Sequence, residues 1–111
     1  MMFDKEYLAE LKRIRTERVT SDQIVAQGPA LVFSLVIASN GQAEADADVY
    51  DGLTAGGRLK FDLYCVDEAM AQLVFPTPCY FSEGIFVDLG TNCESVTVQY
   101  MPLLGRRDDL H

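Results

Sequence analysis

Apolar and polar residues alternate in short stretches through the middle of the chain. From Ala43 to Val49 every second residue is small and apolar, and the residues between them are acidic. Residues 58–66 alternate in the same way, with an apolar series formed by Leu59, Phe61, Leu63 and Cys65. A period of two residues is typical of a β-strand with one buried and one solvated face. Both stretches are therefore predicted to be half-exposed strands.

Further strands are predicted wherever apolar stretches lie between turn residues. They cover Gln23 to Ala26, Ala30 to Ala38, Ala71 to Phe75, Ile85 to Leu89 and Ser95 to Met101. The stretch from Ala30 is apolar on both faces, which is typical of a strand in the middle of a fold. We expect Pro76 and Pro78 to end a strand, since proline cannot donate to a ladder. Short strands at this spacing predict an all-β, antiparallel, jelly-roll-like β-sandwich of about seven to eight strands.

A different period occurs at the amino terminus. Phe3, Tyr7, Leu11 and Ile14 are spaced as on one face of an amphipathic helix. We predict a short helix from about Asp4 to Arg15, whose apolar stripe packs on its own sheet or on a neighbouring subunit or particle. The predicted organisation is an amino-terminal helix in residues 1–18, a β-sandwich in residues 19–104 and a tail in residues 105–111.

The formal charge of −8 is unevenly distributed. Residues 1–20 contain five basic and four acidic residues, a net charge of +1, and no Lys or Arg occurs from residue 61 to residue 105. An acidic body repels phosphate backbones, which makes nucleic-acid binding by the sheet domain unfavourable. The longest apolar stretch is too short for a membrane helix, and no export signal is expected.

Few residues offer catalytic chemistry. The single histidine is His111 at the end of the chain, so a histidine-dependent triad on a rigid scaffold is not expected. Cys65, Cys79 and Cys93 have no C-x-x-C spacing, and we interpret them as reduced, mostly buried side chains. We predict no enzyme activity, no catalytic residues and no cofactor.

Clustered carboxylates raise the question of a calcium site. Glu44, Asp46, Asp48 and Asp51 are close in sequence, but the position that requires a bidentate acid in a calcium loop is Gly57. Alternation would also spread the first three along about 13 Å of one strand face. A solvated strand face is favoured, and no metal site is predicted.

Four tyrosines offer an alternative function. Tyr50, Tyr64, Tyr80 and Tyr100 would form a sugar-stacking surface if several were exposed together. A small carbohydrate-binding module is therefore kept as the alternative.

The order of elements from Val49 to Tyr100 resembles small β-sandwich structural proteins of bacteriophages and prophages. The residues that carry this resemblance are Tyr50-Asp51-Gly52, Gly56-Gly57, Phe75-Pro76, the strand from Phe81 to Val87 and the closing strand from Val96 to Tyr100. The resemblance implies a virion component such as a head decoration protein or a tail- or fibre-associated module, commonly trimeric. It implies capsid or tail proteins as partners, and a location in the virion or in the bacterial host cytoplasm. The predicted interface residues are Phe3, Tyr7, Leu11 and Ile14.

Overall fold

The computed structural model describes residues 13–66 and 69–103. Within these ranges the chain forms β-strands and no helix. The strands are β1 (Arg15–Val19), β2 (Gln23–Gln27), β3 (Ala30–Ser39), β4 (Ala45–Asp51), β5 (Arg58–Cys65), β6 (Met70–Phe81), β7 (Gly84–Leu89) and β8 (Cys93–Pro102).

The strands form two four-stranded antiparallel sheets that share one core. One sheet has the order β1-β8-β3-β6 and the other has the order β2-β7-β4-β5. Consecutive strands lie in opposite sheets, except for β4 and β5, which form a hairpin within one sheet. The predicted all-β sandwich is therefore confirmed.

Inward-facing residues from both sheets fill the space between them. Phe81, Leu35 and Ile37 are the largest fully buried side chains. Burying a side chain of this kind contributes roughly 1.5–3 kcal/mol. The apolar strand β3 lies between β8 and β6, which confirms its predicted central position. Across the core, the hydroxyl of Tyr100 donates to the carbonyl of Val25 at 3.3 Å and joins the two sheets.

The amino-terminal prediction is wrong for the residues that can be compared. Residues 15–18 were expected at the end of a helix, but they belong to β1, which pairs with β8 from Arg15↔Tyr100 to Val19↔Val96. Only Val19 of this strand is buried, so β1 is held mainly by its backbone pairing at the sheet edge. Residues 1–12, which contain most of the predicted helix, lie outside the described residues, as does the tail in residues 105–111. No helix in the described part is long and apolar enough to span a membrane.

Two details of the predicted strands also differ. The prolines do not end β6, which continues to Phe81, but its pairing with β3 is interrupted between Val74 and Cys79. Pro76 and Pro78 lie in this interruption, where no ladder hydrogen bond is required. Leu59 is not buried with its alternating series, because the register of β5 shifts between Leu59 and Phe61.

Candidate functional site

An apolar groove of about 250 Å³ opens between β5 of one sheet and β6 of the other. Leu35 and Ile37 of β3, which are buried in the core, form the inner side of the groove. The walls come from the two edge strands and include Phe61, Leu63, Ala71 and Leu73.

The groove is open because both of its strands are sheet edges. Among the described residues, β5 pairs with β4 alone and β6 pairs with β3 alone. Leu73 lies opposite the buried Leu35 and faces inward, yet 40% of it is exposed because no further strand covers it. Unpaired edges with apolar side chains are ready sites for association with another chain.

Aromatic side chains close one end of the groove. The Phe61 ring lies 5.1 Å from that of Phe75 and 6.3 Å from that of Phe81, measured between centroids. The Lys60 Nζ lies 5.4 Å from the centroid of the Phe81 ring, within the range of a cation–π contact. This end is therefore a packed and fixed wall.

The open rim of the groove combines apolar and acidic side chains. Tyr64, Val66, Met70 and Val74 are each more than half exposed. Asp62 is one of the lining residues, and its carboxylate faces Asp48 on the outer side of the sheet. At the same rim, a hydrogen bond with Glu44, together with burial, raises the pKa of Tyr64. A partner that fits this rim must offer apolar side chains and tolerate or neutralise negative charge.

A row of aspartates crosses the outer face of the sheet β2-β7-β4-β5. Asp48 on β4 lies directly opposite Asp62 on β5 and opposite Asp88 on β7. Burial and the facing Asp62 carboxylate raise the pKa of Asp48, while burial and the charge of Asp22 raise the pKa of Asp88. Carboxylates that face each other across strands repel, so this row destabilises the fold at neutral pH.

Asp51 has a different role from its neighbours in sequence. Its carboxylate accepts backbone N–H bonds from Ser82 at 2.9 Å, Glu83 at 2.8 Å and Gly84 at 3.3 Å, and a bond from the Ser82 hydroxyl at 3.0 Å. Burial alone would raise the pKa of Asp51, but these donors outweigh it and lower the pKa. Asp51 therefore fixes the turn between β6 and β7.

Two other aspartates also bind backbone N–H groups. Asp46 accepts from Thr91 at 2.9 Å, and Asp22 accepts from Leu89 at 2.8 Å. Alternation does place Asp46 and Asp48 on one face of β4, as predicted. Across residues 13–66 and 69–103, no group of three or more His, Cys, Asp or Glu side chains is arranged to hold a metal ion.

The four tyrosines do not form one surface. Tyr100 is 5% exposed and lies in the core. Tyr80 is on β6, whereas Tyr50 and Tyr64 are on β4 and β5 of the other sheet. Tyr50 packs beside Phe86, with ring centroids 6.4 Å apart. A flat row of four rings for a sugar is therefore not formed.

The predicted interface residues fall mostly beyond the described chain. Phe3, Tyr7 and Leu11 lie outside the described residues, and Ile14 is half-buried just before β1. The groove was not anticipated, because its residues are distributed over β3, β5 and β6. The apolar composition of residues 71–75 was the one local signal.

Comparisons with protein-family models, with curated proteins and with solved structures give no significant match.

Proposed function

We propose that this protein is a non-enzymatic structural component of a bacteriophage or prophage particle, and that it associates with copies of itself through the β5/β6 side of the sandwich. A head decoration protein or a tail- or fibre-associated module is the favoured role, with a trimer as the favoured assembly. Capsid or tail proteins are its expected partners.

The observation that carries this proposal is the exposed apolar border of the groove. In the part of the chain that the structure describes, β5 and β6 are edge strands that lie side by side, and large apolar side chains on and next to both are exposed to solvent. They are Leu59 and Tyr64 on β5, Val66 directly after it, and Met70, Leu73, Val74 and Tyr80 on β6. A concentration of such side chains at neighbouring edges is typical of a protein–protein contact.

The strand order supports the same proposal. In β1-β8-β3-β6 over β2-β7-β4-β5, two Greek keys are wound together, which is the arrangement of a jelly roll. Viral capsid proteins are among those that use this arrangement. It agrees with the resemblance of residues 49–100 to phage structural domains, although a fold alone does not define a function.

Self-association is tested by light scattering coupled to size exclusion on the full chain over a wide range of concentrations. We expect a mass above the 12.3 kDa of one chain, with a trimer as the favoured state. A mass that stays at one chain at every concentration would contradict self-association. The particle role is tested by mass spectrometry of purified phage particles induced from the bacterium that encodes the chain, in which the protein must be present.

A further inference from the structure

β6 is the sheet edge with the least protection against pairing with another chain. Of the four edge strands in the described part, β1 and β5 carry charged residues along their length, such as Arg18 and Lys60. On β2, a register shift between Ile24 and Ala26 interrupts the ladder with β7. Residues 69–81, which contain β6, include no charged residue. Charges and bulges keep natural edge strands from pairing, so β6 is the edge that remains open.

The first half of β6 is the part that is suited to such pairing. The two prolines of this strand cannot donate a ladder bond, and they lie where its pairing with β3 is interrupted, between Val74 and Cys79. From Met70 to Val74 the register with β3 is unbroken. We call residues 70–74 the pairing segment.

The register shows which backbone groups of the pairing segment β3 leaves unused. Ser39 donates its N–H to the carbonyl of Ala69 at 3.0 Å, and these two residues lie opposite each other, one step beyond the register of β3 and β6. In an antiparallel ladder, pairs that exchange hydrogen bonds alternate with pairs that do not. The backbone N–H and C=O groups of Met70, Gln72 and Val74 therefore point away from β3, toward the open side of the sheet.

We propose that the pairing segment forms an antiparallel ladder with the same segment of a second copy, with Gln72 opposite Gln72. The two-fold axis at this pair also places Met70 opposite Val74 at both ends, so three pairs with two bonds each give about six N–H···O=C bonds. On the inner face it places Ala71 opposite Leu73, which is 40% exposed in one copy and is covered in the pair.

The side chains of the pairing segment favour a second copy as the partner. Met70 and Val74 are 69% and 62% exposed, and their contact across the axis removes both from water. The amide of Gln72 has both donors and an acceptor, so two such amides are complementary to each other. Since the chain carries a charge of −8, an uncharged segment is also a place where two copies meet without opposing like charges.

This inference rests on the proposed function, because both require self-association. It names the strand and the register of the contact. A two-fold contact closes with two copies, so it predicts a dimer, whereas the resemblance to phage proteins favours a trimer.

The test places charges at the centre of the proposed contact in the full chain. Gln72→Lys and Gln72→Glu each bring like charges face to face across the axis, and each should raise the Kd of the dimer by about tenfold or more. An equal mixture of the two variants should restore association, because opposite charges then face each other.

Gln99→Lys and Gln99→Glu are the matched controls. Gln99 is exposed on the same sheet, but it lies on the internal strand β8. These two substitutions change the total charge as the substitutions of Gln72 do, and they should leave the Kd nearly unchanged.

Light scattering coupled to size exclusion gives the mass of the native chain, of each variant and of the mixture over a range of concentrations. We expect the native chain to reach twice the 12.3 kDa of one copy. Urea unfolding shows that each variant is folded. If a Gln72 variant does not fold, Met70→Lys mixed with Val74→Glu replaces the pair, because these two residues face each other in the proposed ladder.

Three results would contradict the inference. An assembly, trimeric or otherwise, that both Gln72 variants leave unchanged would overturn the pairing of β6 and leave the proposed self-association standing. Variants that weaken the assembly but do not associate when mixed would overturn the register centred on Gln72, and the proposal with it. A full chain that is monomeric at every concentration would overturn both the pairing and the proposed self-association.

Discussion

Replacement of Asp48 by asparagine should stabilise the protein at neutral pH. Asp48 lies opposite Asp62 on one side and Asp88 on the other, so two pairs of like charges meet at one residue. Cross-strand charge pairs contribute roughly 0.2–1 kcal/mol each, with the sign reversed for like charges. Since this face is partly solvated, we expect a gain of about 1 kcal/mol for Asp48→Asn, or a rise in Tm of about 4 °C for a domain of this size.

The same row predicts how stability varies with pH. The pKa values of Asp48 and Asp88 are raised, so the folded protein holds these protons more tightly than the unfolded chain does. Their contribution to the free energy of unfolding therefore falls as the pH rises above the ordinary value of 3.8 and through the folded pKa values. We expect the native protein to be more stable at about pH 5 than at pH 7, with a smaller difference in Asp48→Asn.

Urea unfolding at both pH values, at fixed protein concentration and low salt, measures these changes. Glu94→Gln is the matched control, because it removes one negative charge from an exposed side chain outside the row, which forms an exposed ion pair with Arg18 at 3.7 Å. If Asp48→Asn stabilises the protein no more than Glu94→Gln does, total charge rather than the row explains the effect. A native protein that becomes more stable between pH 5 and pH 7 would refute the reasoning.

Three other substitutions test the packing. Asp51→Ala should lower the free energy of unfolding in urea by about 2 kcal/mol at pH 7, more than Ser82→Ala does, because hydrogen bonds to a charged group are lost. Since the pKa of Asp51 is lowered, the stability that Asp51 contributes should be lost as the pH falls below 3.8 and through the folded pKa. Gly90→Ala should lower Tm more than Gly56→Ala does, because a Cβ at residue 90 would collide with the carboxylate and the backbone carbonyl of Asp46. Leu35→Ala should cost about 2–5 kcal/mol in the same unfolding experiment, and a cost below about 1 kcal/mol would contradict its place in a tightly packed core.

Local patterns were sufficient to predict most of the strands. On β4, small residues alternate with acids, and Ala45, Ala47 and Val49 are buried while Asp46 is exposed. The turn glycines and the Asn-Gly pair mark the ends of these strands, because their backbone preferences are local. The sandwich follows from many short strands that each have an apolar face.

β1 could not be predicted from its own residues. Its sequence RTERV buries only Val19 and has no alternation of apolar and polar residues. The strand forms because β8 offers a free edge, with pairs from Arg15↔Tyr100 to Val19↔Val96. Backbone pairing to a distant strand leaves no periodic signal in the sequence, whereas the helical spacing just before it does.

The groove and the aspartate row depend on strand order in the same way. Alternation predicts that Asp48 faces outward and that Asp62 lies between two inward-facing residues. That Asp48 and Asp62 lie opposite each other follows only from the register of β4 and β5. From the sequence, Leu73 has the pattern of a buried strand residue. Its exposure is explained only by the position of β6 at the edge of its sheet. Features that join three strands are set by topology, and a single sequence does not specify topology residue by residue.

The acidic row and the groove together restrict how copies of this chain can meet. Asp22, Asp88, Asp48 and Asp62 extend across the outer face of the sheet β2-β7-β4-β5, so two such faces would bring eight carboxylates together. Unpaired charges of one sign strongly disfavour a contact between two such faces. The β5/β6 edge combines exposed apolar side chains with a groove that reaches the core, while the β2 edge exposes only Ile24 among its large apolar residues. This repulsion on one face agrees with the proposed association at the side of the sandwich where Leu73 is uncovered.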